Sequence, residues 1–113
     1  EPAAAELAAS VGADRIELYT EFYAREFASC SESGDKQKLA TVLASYHDTA
    51  DRALACGVGV NAGHDLNLQN LPLFLSGGQI QEVSIGHALI VESLEMGMDH
   101  VIDRYLAIAD HAA

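Results

Sequence analysis

Apolar and polar positions alternate along this chain with two different periods. Ala4, Leu7, Ala8 and Val11 recur at helical spacing, Pro2 suits a first turn and Gly12 a left-handed stop, so residues 1–11 read as a helix. From Arg15 to Thr20 the period drops to two, with Ile16 and Leu18 on one side and Glu17 and Tyr19 on the other, as in a strand. Residues 21–35 lose the pattern. Ala24 to Phe27 is compatible with one helical turn and Ser29 to Asp35 with a polar loop, and the segment reads as a strand-to-helix connection.

The clearest element follows. Leu39, Val42, Leu43, Tyr46, Ala50, Ala53 and Leu54 form one stripe ending at Gly57, and Lys38, Ser45, His47, Asp48 and Asp51 read as its solvated face. A second strand puts Val58, Val60 and Ala62 on one face and Gly59, Asn61 and Gly63 on the other. A short helix from about Asn70 to Ser76 ends at Gly77-Gly78, and a third strand runs from Glu82 to Ile85. Ala88 to Met96 reads as a helix broken by Gly97, and Val101, Ile102, Tyr105 and Ile108 mark a last one, with His111 in a frayed tail.

Strands alternating with helices imply right-handed β-α-β units around a parallel sheet. Three strands cannot close one, and a β/α barrel takes about 250 residues. The 113 residues therefore read as α/β, less than half of a (β/α)8 TIM barrel and part of a single domain. The chain opens Glu1-Pro2 rather than with Met, which fits a piece of something longer. Alone, such a piece would expose two sheet edges and an uncovered apolar face, to be completed by another segment of the same gene product.

Charge narrows the partners. Seventeen acidic residues against six basic ones leave a net charge of -11, with no cluster of Lys or Arg, which argues against nucleic acid and anionic membrane surfaces. Anionic substrates stay open, because helix N-termini hold phosphate through backbone N–H groups. Cys30 and Cys56 form no CxxC pair and read as free thiols in a reducing cytosol. No apolar run approaches the roughly 20 residues of a membrane span, so a soluble, cytoplasmic protein is expected.

The candidate chemistry sits where apolar strands turn polar. Val60-Asn61-Ala62-Gly63-His64-Asp65-Leu66 delivers a histidine to a strand's C-terminal end, and Ile85-Gly86-His87 repeats the change. A histidine there can give and take protons near neutrality, although a loop-capping role fits the bare residues as well. Glu17 fits a reacting carboxylate or a buried ion pair. His64, His87 and Glu17 have the composition of a two-histidine, one-carboxylate metal site, but they come from three separate strands without a tight ligand motif, and no metal is expected. His47, His100 and His111 read as solvated.

In combination, Arg15-Ile16-Glu17-Leu18-Tyr19-Thr20, Val60-Asn61-Ala62-Gly63-His64-Asp65-Leu66-Asn67 and Ile85-Gly86-His87-Ala88-Leu89-Ile90 resemble the pyridoxine 5'-phosphate synthases, over essentially the whole chain. The resemblance implies strands six to eight of that family's barrel, and a condensation of 3-amino-2-oxopropyl phosphate with 1-deoxy-D-xylulose 5-phosphate to pyridoxine 5'-phosphate, phosphate and water. It implies no cofactor and a homo-octamer. It carries the role of proton donor to His64 and of transition-state stabiliser to Glu17, and places the aminoketone phosphate on Asp65, Gly86 and His87. Asp65 and Glu21 stand where many relatives have Gly. Two other readings remain: a non-catalytic phosphate-binding module, and another phosphate-handling barrel enzyme.

Overall fold

A computed structural model describes residues 2–112. The element order is α1 (Pro2–Ser10), β1 (Arg15–Tyr19), α2 (Glu21–Ser33), α3 (Lys36–Ala55), β2 (Gly59–Gly63), α4 (Leu71–Phe74) with a 3-10 turn (Leu75–Gly77), β3 (Glu82–Ser84), α5 (His87–Met96) and α6 (Met98–Ala112). The strands form one parallel sheet in the order β1-β2-β3. Glu17 stands opposite Asn61 and Tyr19 opposite Gly63 across the first pair; Asn61 faces Glu82 and Gly63 faces Ser84 across the second. An α/β fold with a three-stranded parallel sheet is thus what the alternation predicted.

The two faces of the sheet differ sharply. Leu18, Val60 and Ala62 are buried and, with Val58, join Tyr23, Leu39, Ala50, Ala53, Leu71 and Phe74 in the core beneath the helices. Glu17 and Tyr19 on the opposite face of β1 are exposed. Parallel sheets normally have both faces covered. Here the uncovered face is the polar one, and the apolar face that was expected to be left open is closed by helices.

Residues 21–33 correct the sequence reading: they form a 13-residue helix, not a connection. Tyr23 decides it. Its ring is fully buried against Phe74, Tyr46 and Phe27, with centroids 5.0, 6.3 and 6.1 Å away, and its hydroxyl donates to the Asn70 carbonyl at 2.6 Å. One turn on, the buried Glu26 carboxylate meets Lys38 of α3 at 3.4 Å. Gly34, at φ 76°, ends the helix by donating its N–H to the Cys30 carbonyl. Asp35 then caps α3 by accepting the Lys38 N–H, and Arg52 of α3 pairs with Glu6 of α1.

Two histidines also differ from expectation. His47 is half-buried, and its Nε2 lies 2.9 Å from the Phe74 carbonyl, joining α3 to α4. His111 belongs to α6, which continues to Ala112. The predicted first helix began at residue 1, outside the described residues. Among the described residues no helix is long and apolar enough to cross a membrane. Cys30 and Cys56 are both free.

Candidate active site

Because the strands are parallel and in register, their C-terminal ends lie along one edge of the sheet. His64 and Asp65 directly follow β2, and Gly86 and His87 follow β3 and open α5. Glu17 lies in the middle of β1, and its carboxylate reaches across to β2. A Cβ built on Gly63 would come 2.9 Å from Glu17 Oε1 and 3.3 Å from Ser84 Cβ, so the glycine makes room for the carboxylate. Below it, Arg15 donates to Asn61 Oδ1 from Nε at 3.0 Å and from Nη2 at 2.7 Å, and meets Glu82 at 3.3 Å. The open face therefore carries an Arg15-Asn61-Glu82 layer below the Glu17 carboxylate.

The turn after β2 is unusual: His64 has φ 100° and Asp65 φ 58°, in the region that side chains other than glycine enter at a cost. Neighbouring groups impose it. Thr20 donates its N–H to the Gly63 carbonyl at 3.0 Å and its hydroxyl to the His64 carbonyl at 2.5 Å. From the other side, buried Asn70 donates from Nδ2 to the Asp65 carbonyl at 3.1 Å and accepts the Asn67 N–H at 2.9 Å. Asn67 Oδ1 in turn accepts the backbone N–H groups of Gln69 and Asn70. Further along the same loop, Glu92 of α5 accepts the Leu68 N–H at 3.2 Å and the Tyr105 hydroxyl of α6. The loop carrying His64 is thus tied to the helix that opens at His87.

The His64 imidazole is exposed to solvent, with the Tyr19 ring against it at a centroid distance of 4.2 Å. The Tyr19 hydroxyl donates to Glu21 Oε2 at 2.7 Å, and Arg25 holds the other carboxylate oxygen at 2.8 Å. The hydrogen bond to Glu21 raises the Tyr19 phenol above its usual range, and the same bond lowers the Glu21 carboxyl. Of the residues singled out in the sequence, His64 and Asp65 stand at the end of β2 and Gly86 and His87 beyond the end of β3, while Glu17 stays in the middle of β1 with its carboxylate toward Gly63. No group of three metal-ligating side chains converges among the described residues. Thr20, Asn67, Asn70 and Glu92 were missed by the sequence reading. The Asn-x-x-Asn spacing was the one local signal available, as a turn-capping pair.

The chain matches the model of the pyridoxal phosphate biosynthesis protein PdxJ over residues 1–111. It belongs to the PdxJ family. Among curated relatives, the pyridoxine 5'-phosphate synthase of Albidiferax ferrireducens is 46% identical over 107 residues, covering 94% of this chain and 40% of the relative. That of Xanthomonas campestris pv. campestris is 49% identical over 102 residues, 89% of this chain and 37% of its own length. The Parabacteroides distasonis synthase is 48% identical over 103 residues, 90% of this chain and 40% of its own. This PdxJ-family chain therefore spans about two fifths of the length of the relatives it matches.

Proposed function

We propose that residues 1–113 are the C-terminal portion, about strands six to eight with their helices, of a single (β/α)8 barrel domain acting as a pyridoxine 5'-phosphate synthase. The observation that carries the reading is the placement of His64 and Gly86-His87 along the C-terminal edge of one parallel sheet, the edge on which barrel enzymes build their sites, with the Glu17 carboxylate reaching toward Gly63 from the middle of β1. The names of the relatives support it. So does the single covered face of the sheet, since a barrel turns its other face inward.

In this reading the phosphate of 3-amino-2-oxopropyl phosphate sits at the start of α5, on free N–H groups at Gly86, His87 and the backbone of Asp65. The positive end of the helix dipole favours the anion there. Holding the aminoketone at that end brings its amine and carbonyl toward His64. As condensation with 1-deoxy-D-xylulose 5-phosphate proceeds, His64 gives a proton to the departing oxygen, a task suited to a solvent-accessible imidazole at a strand end. Glu17, whose carboxylate reaches toward Gly63 on the open face of the sheet, stabilises positive charge developing on the nitrogen. The reaction needs no cofactor or metal from these residues.

The remaining strands complete the site. A groove of about 520 Å³ along the free edge of β1, lined by Ala5, Glu17, Tyr19, Phe22 and Tyr46, is suited to a neighbouring strand from the N-terminal part of the barrel. The exposed Ile90 and Leu94 of α5 and Leu106 of α6 fit contacts with further subunits of a cytoplasmic homo-octamer. Turnover of both substrates by the protein containing this chain tests the reading, with His64→Ala alongside it. Lost turnover with retained affinity for the aminoketone phosphate is the expected result; phosphate binding without turnover in the parent protein makes it a binding module instead.

A further inference from the structure

The aromatic ring packed against the His64 imidazole is one the reaction scheme does not use. Tyr19 stands opposite Gly63 in the register of β1 and β2, so its ring projects over the end of β2 where His64 begins. The rings meet at 4.2 Å with their planes 38° apart. Tyr19 is itself fixed at both ends. Its carbonyl accepts the Tyr46 hydroxyl of α3 at 2.8 Å, and its own hydroxyl donates to Glu21, which Arg25 holds one helical turn further along α2. An exposed imidazole without such a neighbour would sample several rotamers. A ring packed against it in a tilted arrangement narrows that choice, and a carboxylate latch keeps the ring from swinging away.

We infer that Tyr19, latched by Glu21 and Arg25, is a positioning residue that sets the orientation of the His64 ring. The inference rests on the proton-donor role of His64 for its kinetic consequence, but not for its structural one. Glu21 is the first residue of α2, where its charge also favours the helix N-terminus, so the latch is built into a position that the fold already stabilises. The phenol is not a proton donor in this scheme. Its pKa is raised, and its proton is committed to Glu21.

The test combines NMR of histidine-labelled protein with steady-state kinetics on the protein that contains this chain. His64 ring-proton resonances, assigned by their absence in His64→Gln, are displaced by the Tyr19 ring current in the parent. Tyr19→Leu abolishes that displacement, and Tyr19→Phe, which keeps the ring but loses the hydroxyl that Glu21 holds, retains only part of it. Glu21→Gly, at a half-exposed position, reduces it without touching either ring. In kinetics, Tyr19→Leu lowers kcat by about 10-fold with KM within about twofold, the split expected when a proton donor is misaligned while substrate contacts persist. His64 resonances unchanged in Tyr19→Leu overturn the inference, as does a Tyr19→Phe variant as impaired as Tyr19→Leu. If the parent makes no product while the resonances still move as described, the synthase reading falls and the positioning role stands.

Discussion

Replacing Asn70 by alanine removes the side chain on which the His64 turn is hung. Asn70 is 2% exposed, and its amide makes two bonds that no neighbour replaces: Nδ2 to the Asp65 carbonyl at 3.1 Å and Oδ1 to the Asn67 N–H at 2.9 Å. Each bond contributes about 1 kcal/mol, and the half-buried Asn67 N–H left without a partner adds desolvation, for a total of about 2–3 kcal/mol. The backbone bond from the Tyr23 hydroxyl to the Asn70 carbonyl survives the substitution, so the core is not directly disturbed. Urea unfolding followed by circular dichroism reads the loss. A loss below about 0.5 kcal/mol would show that the positive-φ turn is not held by this side chain.

Two further outcomes follow from the same geometry. Asp65→Gly trades a left-handed aspartate for a residue at ease at φ 58° but freer when unfolded, so stability stays within about 0.5 kcal/mol. Removing that carboxylate from the proposed phosphate site should tighten aminoketone-phosphate binding about 2- to 5-fold at low salt, as isothermal titration will read; weaker binding refutes the placement. Burial raises the phenol of Tyr23, and burial followed by the bond to Glu92 raises that of Tyr105. A folded-state pKa above the unfolded value of about 10 gives stability that is complete below pH 10 and is lost as pH rises beyond it. Tyr23→Phe should thus cost about 1–2 kcal/mol at pH 7, with the gap to the parent narrowing above pH 10; parallel stability curves up to pH 11 exclude this.

Local periodicity was enough to find β1, β2, β3, α3 and α5, because each turns from apolar to polar within a few residues or repeats a stripe over several turns. It failed at α2. Ser29, Ser31 and Ser33 are poor helix formers, and what holds that helix is Tyr23 packing on Phe74, 51 positions away in sequence. His47 was misread for the same reason: its partner, the Phe74 carbonyl, is 27 residues distant. In the site, the motifs named His64, Glu17 and His87, but the groups that shape the turn became visible only with the register. Tyr19 meets His64 because Tyr19 pairs with Gly63, and no spacing along the chain states that pairing.

His64, at the C-terminal end of β2, is the proposed proton donor in ring closure of two phosphorylated substrates. The most direct test of that role is to mix 3-amino-2-oxopropyl phosphate and 1-deoxy-D-xylulose 5-phosphate with the protein that contains this chain. Pyridoxine 5'-phosphate and released phosphate are then followed together in the parent and in His64→Gln. The account predicts one phosphate released per ring formed in the parent, and ring formation at least about 100-fold slower in His64→Gln, with both substrates still bound. A His64→Gln variant that closes the ring at the parent rate contradicts it.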